Sequence, residues 1–314
     1  MYNFAIIPDT SSDLTKELRD RFGIEDYLHG VIYYPDGRSG KASLDWDEMT
    51  PEQYYDSMKG RNVLYKTACP ESGDIYEIFE KYLKQGIDVL SITLSSGLSG
   101  TYSSCLVVAK ELREKYPERK IIIVDSMRYS TSLALLVISA CIKRASGATI
   151  EETAEYTEQE KYKIHQMGSM DDLFFLVKTG HVSNFKAFFG SLVGINLLAD
   201  FNDKGVSEVI GKFKGKVTAL EATIKYIERT IVDPENQMIF VAHTNREPAA
   251  KLLAEKIKEK FNPKEIFIVP VGMSCGASIG PGLCAAFYKG EKASENLEKE
   301  KALMDAITEE LKTK

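Results

Sequence analysis

The stretch with the most chemical promise is Val89–Thr101, VLSITLSSGLSGT, in which an apolar run opens into a turn rich in hydroxyls and glycine. Val89, Leu90, Ile92 and Leu94 suit a buried strand, Gly97 and Gly100 permit tight backbone conformations, and a helical pattern resumes at once. Ser95, Ser96, Ser99 and Thr101 supply hydroxyls, and a helix start adds backbone N–H groups with a positive dipole. A carboxylate or phosphate is stabilised in such surroundings. A capped connection that meets no ligand accounts for the same composition equally well. Two familiar phosphate motifs are absent, because no Gly-Lys-Ser/Thr follows and the glycine spacing is not that of a dinucleotide fingerprint.

The elements around this turn repeat its design. Tyr2–Ile7 reads as a strand followed by Asp9-Thr10-Ser11-Ser12-Asp13, whose oxygens are expected to cap a helix from about Leu14. Val31–Tyr34 with Pro35-Asp36-Gly37 predicts a hairpin, Pro51–Lys59 a short helix and Ile75–Lys84 an amphipathic one, with Thr67–Pro70 as a break between them. Tyr102–Lys115 is expected to bury Leu106, Val107, Ala109 and Leu112, and Ile121–Val124 to form a third strand closed by Asp125-Ser126. Strand, polar turn and helix in this order predict a parallel α/β sheet with its crevice at the strands' carboxyl ends.

After Leu133–Arg144, a loop near Gly147 is the expected domain boundary, and Thr149 with Glu152 forms a capping-box pattern. Asp171-Asp172 is expected to cap a helix through Val177. Ala187–Leu198 is greasy enough for core or for one wall of an acyl tunnel, and Asn202–Gly205 reads as a turn between strands. Val206–Phe213, Met238–Ala242 and Ile266–Val271 then alternate with helices over Val217–Arg229 and Pro248–Phe261. The fold class is thus α/β with two α/β domains, residues 1–147 holding the parallel sheet and 148–290 the second, ending in the small-residue loop Ser274–Gly282. Residues 291–314 form a helical extension whose Leu297, Leu303, Met304, Ile307 and Leu311 give a narrow apolar stripe for docking.

Composition narrows the functions. A formal net charge of −6 disfavours a nucleic-acid partner, and Lys212, Lys214 and Lys216 read as a solvated strand face. No apolar run is long enough for stable membrane insertion, and MYNFAIIPDTSSD has neither a basic region nor a long apolar segment, so a cytoplasmic location is expected. Five cysteines with no CxxC pair fit neither a disulfide framework nor a zinc site. Cys105 and Cys141 are expected in the core, and small buried thiols are the simpler reading of Cys69 and Cys275.

Six ordered segments together resemble the DegV family of bacterial lipid-binding proteins over roughly residues 1–290. They are Asp9–Leu14, Lys66-Thr67-Ala68-Cys69-Pro70, Ser95–Tyr102, Val124-Asp125-Ser126, Asp171-Asp172-Leu173 and Gly280-Pro281-Gly282. The resemblance implies a carrier that binds a long-chain fatty acid between its two domains and presents the carboxyl group to a separate fatty-acid kinase, with no cofactor. By motif, Thr67 matches the threonine that hydrogen-bonds the carboxylate, Ser96 the serine of the Ser-Ser-Gly turn, and Gly97 a backbone donor beside it. Two positions depart. Ser278 stands where the family has histidine, and His181 where it has arginine, so this chain lacks two cationic groups at the head-group end. The resemblance with these losses leaves open a different small amphiphile or anion as ligand.

Enzyme readings have weaker support in the residues. A hydrolase would need Ser96 or Ser99 as nucleophile and His181 or His243 as base, yet SSGLSG is not the GxSxG elbow. A phosphotransferase lacks a lysine in the glycine loop. His29 and His165 lie in ordinary polar contexts, and His243 reads as capping a loop. A pure interaction module would rest on the terminal helix.

Overall fold

The computed structural model describes residues 2–170, 174–179, 182–183 and 194–313. In chain order the elements are β1 (Phe4–Ile7), α1 (Lys16–Phe22), β2 (Val31–Tyr33), β3 (Ser39–Lys41), α2 (Pro51–Met58), β4 (Lys66–Ala68), α3 (Ser72–Leu83), β5 (Asp88–Thr93), α4 (Thr101–Lys115), β6 (Ile121–Asp125), α5 (Thr131–Ala145) and α6 (Ile150–Glu160). There follow β7 (Ile164–Met170), α7 (Phe174–Thr179), β8 (Val182–Ser183), β9 (Ile195–Phe201), β10 (Ser207–Lys214), α8 (Lys216–Thr230), β11 (Met238–His243), α9 (Glu247–Phe261), β12 (Glu265–Pro270), α10 (Met273–Ile279), β13 (Leu283–Lys289) and α11 (Glu298–Lys312). They belong to two α/β units. The first contains the chain through Glu48, Leu64–Lys161 and Gly272–Ala277, and the second contains Met49–Val63, Tyr162–Val271 and the chain from Ser278.

In the first unit, β1, β5 and β6 form a parallel sheet with β5 in the centre, and Val89 lies opposite both Ala5 and Ile121. Alternate residues face opposite ways along a strand. Ile7, Val89, Ile121 and Ile123 therefore meet Ile75 and Phe79 of α3 and Cys105 and Leu112 of α4. Ile6, Leu90, Ile92 and Val124 are buried as well, so both faces of the sheet are covered. The predicted hairpin forms as β2 and β3, and β4 adds a third antiparallel strand that the exposed Lys66-Thr67-Ala68 did not announce. Helix α6 begins with the predicted Thr149/Glu152 capping box. It packs on β5 and β6, in the first unit, where the boundary near Gly147 had placed it in the second.

Helix α4 buries Thr101, Cys105, Val108, Ala109 and Leu112, whereas Leu106 is 38% exposed and Val107 68%. Ala109 and Leu112 hold from the expected stripe and Leu106 and Val107 do not: residues 101, 105, 108 and 112 share one helical face with 109 at its border, and 106 and 107 lie outside it. Asp9 and Asp13 do not cap α1 either. Thr15 does, accepting from the Leu18 N–H at 3.4 Å, which leaves both aspartates for other work.

The second unit's strands run β12-β11-β13-β7-β9-β10-β8. Strand β13 is antiparallel to both neighbours. In its LCAAFYK sequence only Phe287 and Tyr288 favour a strand strongly, and it escaped the sequence reading. The segment expected as a small-residue loop, Ser274–Gly282, begins instead as α10. At Gly280 φ is +72° and an added Cβ would come within 2.2 Å of the Phe175 ring, so the Gly-Pro-Gly glycine has a packing reason of its own. The extension docks on the body of this unit: Leu297, Met304 and Ile307 are fully buried against α8 and β10. Lys212 and Lys214 lie exposed on β10, as read from the sequence. Asp171-Asp172, His181 and residues 187–193 of the greasy segment lie outside the described residues.

His165 has a more specific setting than its sequence context indicated. It is 2% exposed, with Nδ1 2.5 Å from Asp200 Oδ2 and Nε2 2.8 Å from the Glu291 carbonyl. Tyr226 donates to Asp200 at 2.9 Å and the Gln166 N–H at 3.0 Å. This satisfied polar network fixes β7, β9, α8 and the start of the extension together.

Candidate functional site

Because β1, β5 and β6 are parallel, the loops after Ile7, Thr93 and Asp125 all leave the sheet at one edge. There the loops hold one another through carboxylates. The Leu94 N–H donates to Asp9 Oδ2 at 2.7 Å, and Asp9 Oδ1 takes the Ser11 N–H at 2.8 Å. Asp125 Oδ1 accepts from the N–H groups of Ser96 and Met127, both at 3.1 Å. The Gly97 N–H donates to Ser95 Oγ at 3.2 Å, so a ligand taking that donor would displace an existing bond. The Ser96 side chain is exposed at this edge and Ser95 is buried.

Asp13 gathers the remaining segments. It accepts from the Ser130 hydroxyl, from Thr131 Oγ1 at 3.0 Å and from the Gly272 N–H at 2.9 Å. Burial pushes its carboxyl up to about 6 despite these donors, and burial likewise raises Asp9. Asp13, Met127 and Ser130 all adopt positive φ, at 55°, 51° and 57°. Three non-glycine residues in that region, two of them joined by a hydrogen bond, show that the polar contacts outweigh a backbone cost of about 1–3 kcal/mol each. Cys275 Sγ lies 3.5 Å from the Ser11 carbonyl, and burial keeps this thiol well above the ordinary range, so it is an inert packing group. The hydroxyls of Ser12 and Ser274 are buried without a partner among the described residues.

Thr67 lies on β4 opposite Ile32, with its side chain exposed. The strand it pairs with leads back to the same rim loop, since the Thr10 N–H donates to the Leu28 carbonyl at 3.0 Å and the Gly30 N–H to Thr10 Oγ1 at 3.1 Å. The strand beside Thr67 and the residue two before Ser96 are thus both tied to the Asp9-Thr10 loop. Ser278 belongs to α10 and the second unit, where it is half-buried. His181 is not among the described residues. His243 caps a loop as expected, accepting from the Arg246 N–H at 3.4 Å, and burial lowers its proton affinity. Among the described residues no cluster of His, Cys, Asp and Glu could hold a metal ion. The sequence reading missed Asp9 and Asp13 as organisers of the rim. The available signal was two acids spaced four apart directly after a buried strand, too close to the sheet for both to reach water.

A two-unit α/β protein with a polar rim at the carboxyl edge of a parallel sheet has the architecture of a protein that binds its ligand at strand ends. The chain belongs to the DegV family, a family described as uncharacterised, whose model matches residues 3–291. A DegV domain-containing protein of Clostridium perfringens is 35% identical, covering 93% of this chain and 99% of its own. Among solved structures, a Thermus thermophilus DegV protein described by its fatty-acid binding superposes with a TM-score of 0.81 at 22% identity, over 92% of this chain and 100% of that one. The Streptococcus pneumoniae fatty acid kinase B3 protein, loaded with linoleic acid, gives a TM-score of 0.76 at 20% identity with the same coverage.

Proposed function

We propose that this protein binds a long-chain fatty acid, holding the carboxylate at the Thr67 and Ser96 hydroxyls with the acyl chain in an apolar tunnel. The observation that carries this reading is that both motif-matched hydroxyls are exposed in the first unit, beside segments bonded to its buried Asp9-Thr10 loop, in a chain whose family model covers residues 3–291. Hydroxyl and backbone donors hold a carboxylate without a buried cation. The chain contributes more: at about 0.8 kcal/mol per buried methylene, a sixteen-carbon tail offers about 10 kcal/mol before ordering costs.

The same reading makes the protein a carrier that offers the carboxyl group to a fatty-acid kinase. Ser278 and His181 replace the histidine and arginine of the family pattern, so a developing acyl phosphate would find less positive charge here. Lipid binding is therefore expected to be full and support of phosphorylation weak.

The test is mass spectrometry of an organic extract of the denatured protein, wild type beside Thr67→Ala/Ser96→Ala. A stoichiometric fatty acid in the wild type, depleted at least tenfold in the double variant, is the expected result, since two lost hydrogen bonds to a charged group remove about 3 kcal/mol or more. Absence of lipid from both, even after incubation with fatty acids, would overturn the reading. Rapid acyl-phosphate formation with a cognate kinase would overturn its second half alone.

A further inference from the structure

The opposite edge of the first unit's parallel sheet holds a cavity of about 350 Å³. It lies where the strands begin, between Tyr2, Asp88, Lys120, Arg144 and the opening of α6 at Thr149–Glu151. Its central group is Arg144. This residue is 4% exposed, its Nη1 donates to the Phe4 carbonyl at 3.3 Å, and its Nη2 donates to the carbonyls of Phe22 and Gly23 at 3.0 Å each. The Tyr2 ring covers the guanidinium, with its centroid 3.9 Å from the central carbon. The Nε–H is buried and has no acceptor among the described residues.

A guanidinium removed from water is ordinarily paired with a carboxylate, because an uncompensated buried charge is costly. Among the described residues Arg144 has no such partner. The two acids at the cavity pair with groups other than Arg144. Asp88 accepts from the Lys120 N–H at 2.9 Å and lies 3.5 Å from Arg119, and Glu151 pairs with the Lys120 ammonium. Carbonyl dipoles solvate Arg144 in part but carry no net charge. The remaining wall is the first turn of the 11-residue helix α6, whose dipole is positive here. An open donor on a buried cation, a second cation 57% exposed at the mouth and a helix start all favour negative charge at one place.

We propose that this cavity is a binding site for a small molecule bearing an oxyanion, phosphate or carboxylate. The ligand displaces the Tyr2 ring, accepts from Arg144 Nε–H and draws Lys120 away from Glu151. The site is separate from the carboxyl-edge rim, at the other end of the same strands, and stands whether or not the rim holds a fatty acid.

The test follows the Arg144 Nε–H and the Ile150 and Glu151 amides by ¹H–¹⁵N NMR while sodium phosphate, and separately sodium acetate, is added against sodium chloride at equal ionic strength. A saturable shift of these signals with phosphate, acetate or both is expected, and the arm that responds identifies the anion class. Lys120→Gln should weaken the response about twofold to fivefold. Tyr2→Ala should strengthen it, and Arg144→Gln should remove it from the two amides. Both mouth variants keep the carbonyl contacts of Arg144, so they remain informative if Arg144→Gln does not fold. Signals that move no more than in chloride would overturn the proposal. So would a saturable shift identical in wild type, Lys120→Gln and Tyr2→Ala, which would mark an adventitious ion only. Co-purified lipid should be unchanged in Lys120→Gln, which separates failure here from failure of the fatty-acid reading.

Discussion

Asp13 shows how one residue can be legible as a type and illegible as an environment. DTSSD after an apolar run reads readily as polar punctuation, and its oxygens do accept hydrogen bonds, but from segments 117 to 259 residues away rather than from the next helix. Local spacing carries no trace of such partners. The environment has a measurable consequence. The Asp13 carboxyl sits at about 6 in the folded protein against a reference of 3.8, so between these values the folded state binds more protons than the unfolded one. Stability attributable to this group is then full below pH 3.8 and falls as pH rises through about 6, by at most about 3 kcal/mol. Asp13→Asn keeps the shape and removes the titration. Denaturant unfolding of both proteins from pH 4 to pH 7 should show the wild type losing ground to the variant across this window, while carboxylates common to both cancel in the difference. Parallel curves would mean that the three donors, and not burial, govern Asp13. Thr67 and Ser96 were legible for another reason. They entered by motif match alone, the structure adds that both side chains are exposed, and their hold on a carboxylate is the proposal that the double variant tests.

At the scale of elements, most strands and helices followed from periodicity and caps, and the exceptions share a cause. Strand β4 is three exposed residues and β13 is built from Cys, Ala and aromatic residues, so both owe their form to the strands beside them. In α4 the helix was legible but only half of its buried face, Ala109 and Leu112, because LeuVal at 106–107 outweighs the smaller Cys105 on a hydropathy count. The two faces can be told apart with one substitution on each. Leu112→Ala removes a side chain with no exposed surface and should cost about 2–5 kcal/mol, whereas Leu106→Ala on the same helix should cost less than about 1 kcal/mol. Similar losses from both in chemical denaturation would refute the observed orientation. The same reasoning applies to α11. Met304 is fully buried beside Gly211, where an added Cβ would lie 2.8 Å from the Met304 Cγ, so Met304→Ala should destabilise by about 2–5 kcal/mol. A loss below about 0.5 kcal/mol would show that the extension is only loosely attached.

At the scale of the molecule, the chain is two α/β units, but neither is one continuous stretch, since Met49–Val63 joins the second and Gly272–Ala277 the first. Linear reading finds alternation and a loop near Gly147; it has no means of assigning short returning segments, whose allegiance depends on contacts such as Gly272 to Asp13. The proposed ligand provides a test at this scale. If the acyl chain is buried along its length, each added methylene contributes about 0.8 kcal/mol and affinity should rise about fourfold per carbon until the available length is filled. Head-group contacts alone would give nearly equal affinities for all lengths. Competition between a fluorescent fatty acid and saturated acids of increasing length, kept below their aggregation limits, distinguishes these outcomes. Thr67→Ala/Ser96→Ala should lower every affinity by a similar factor and leave the slope with chain length intact, because the hydroxyls meet the carboxylate and the methylenes do not. A variant that flattens the slope would place Thr67 and Ser96 beside the chain instead of the head group, and a flat slope in the wild type would exclude an acyl tunnel.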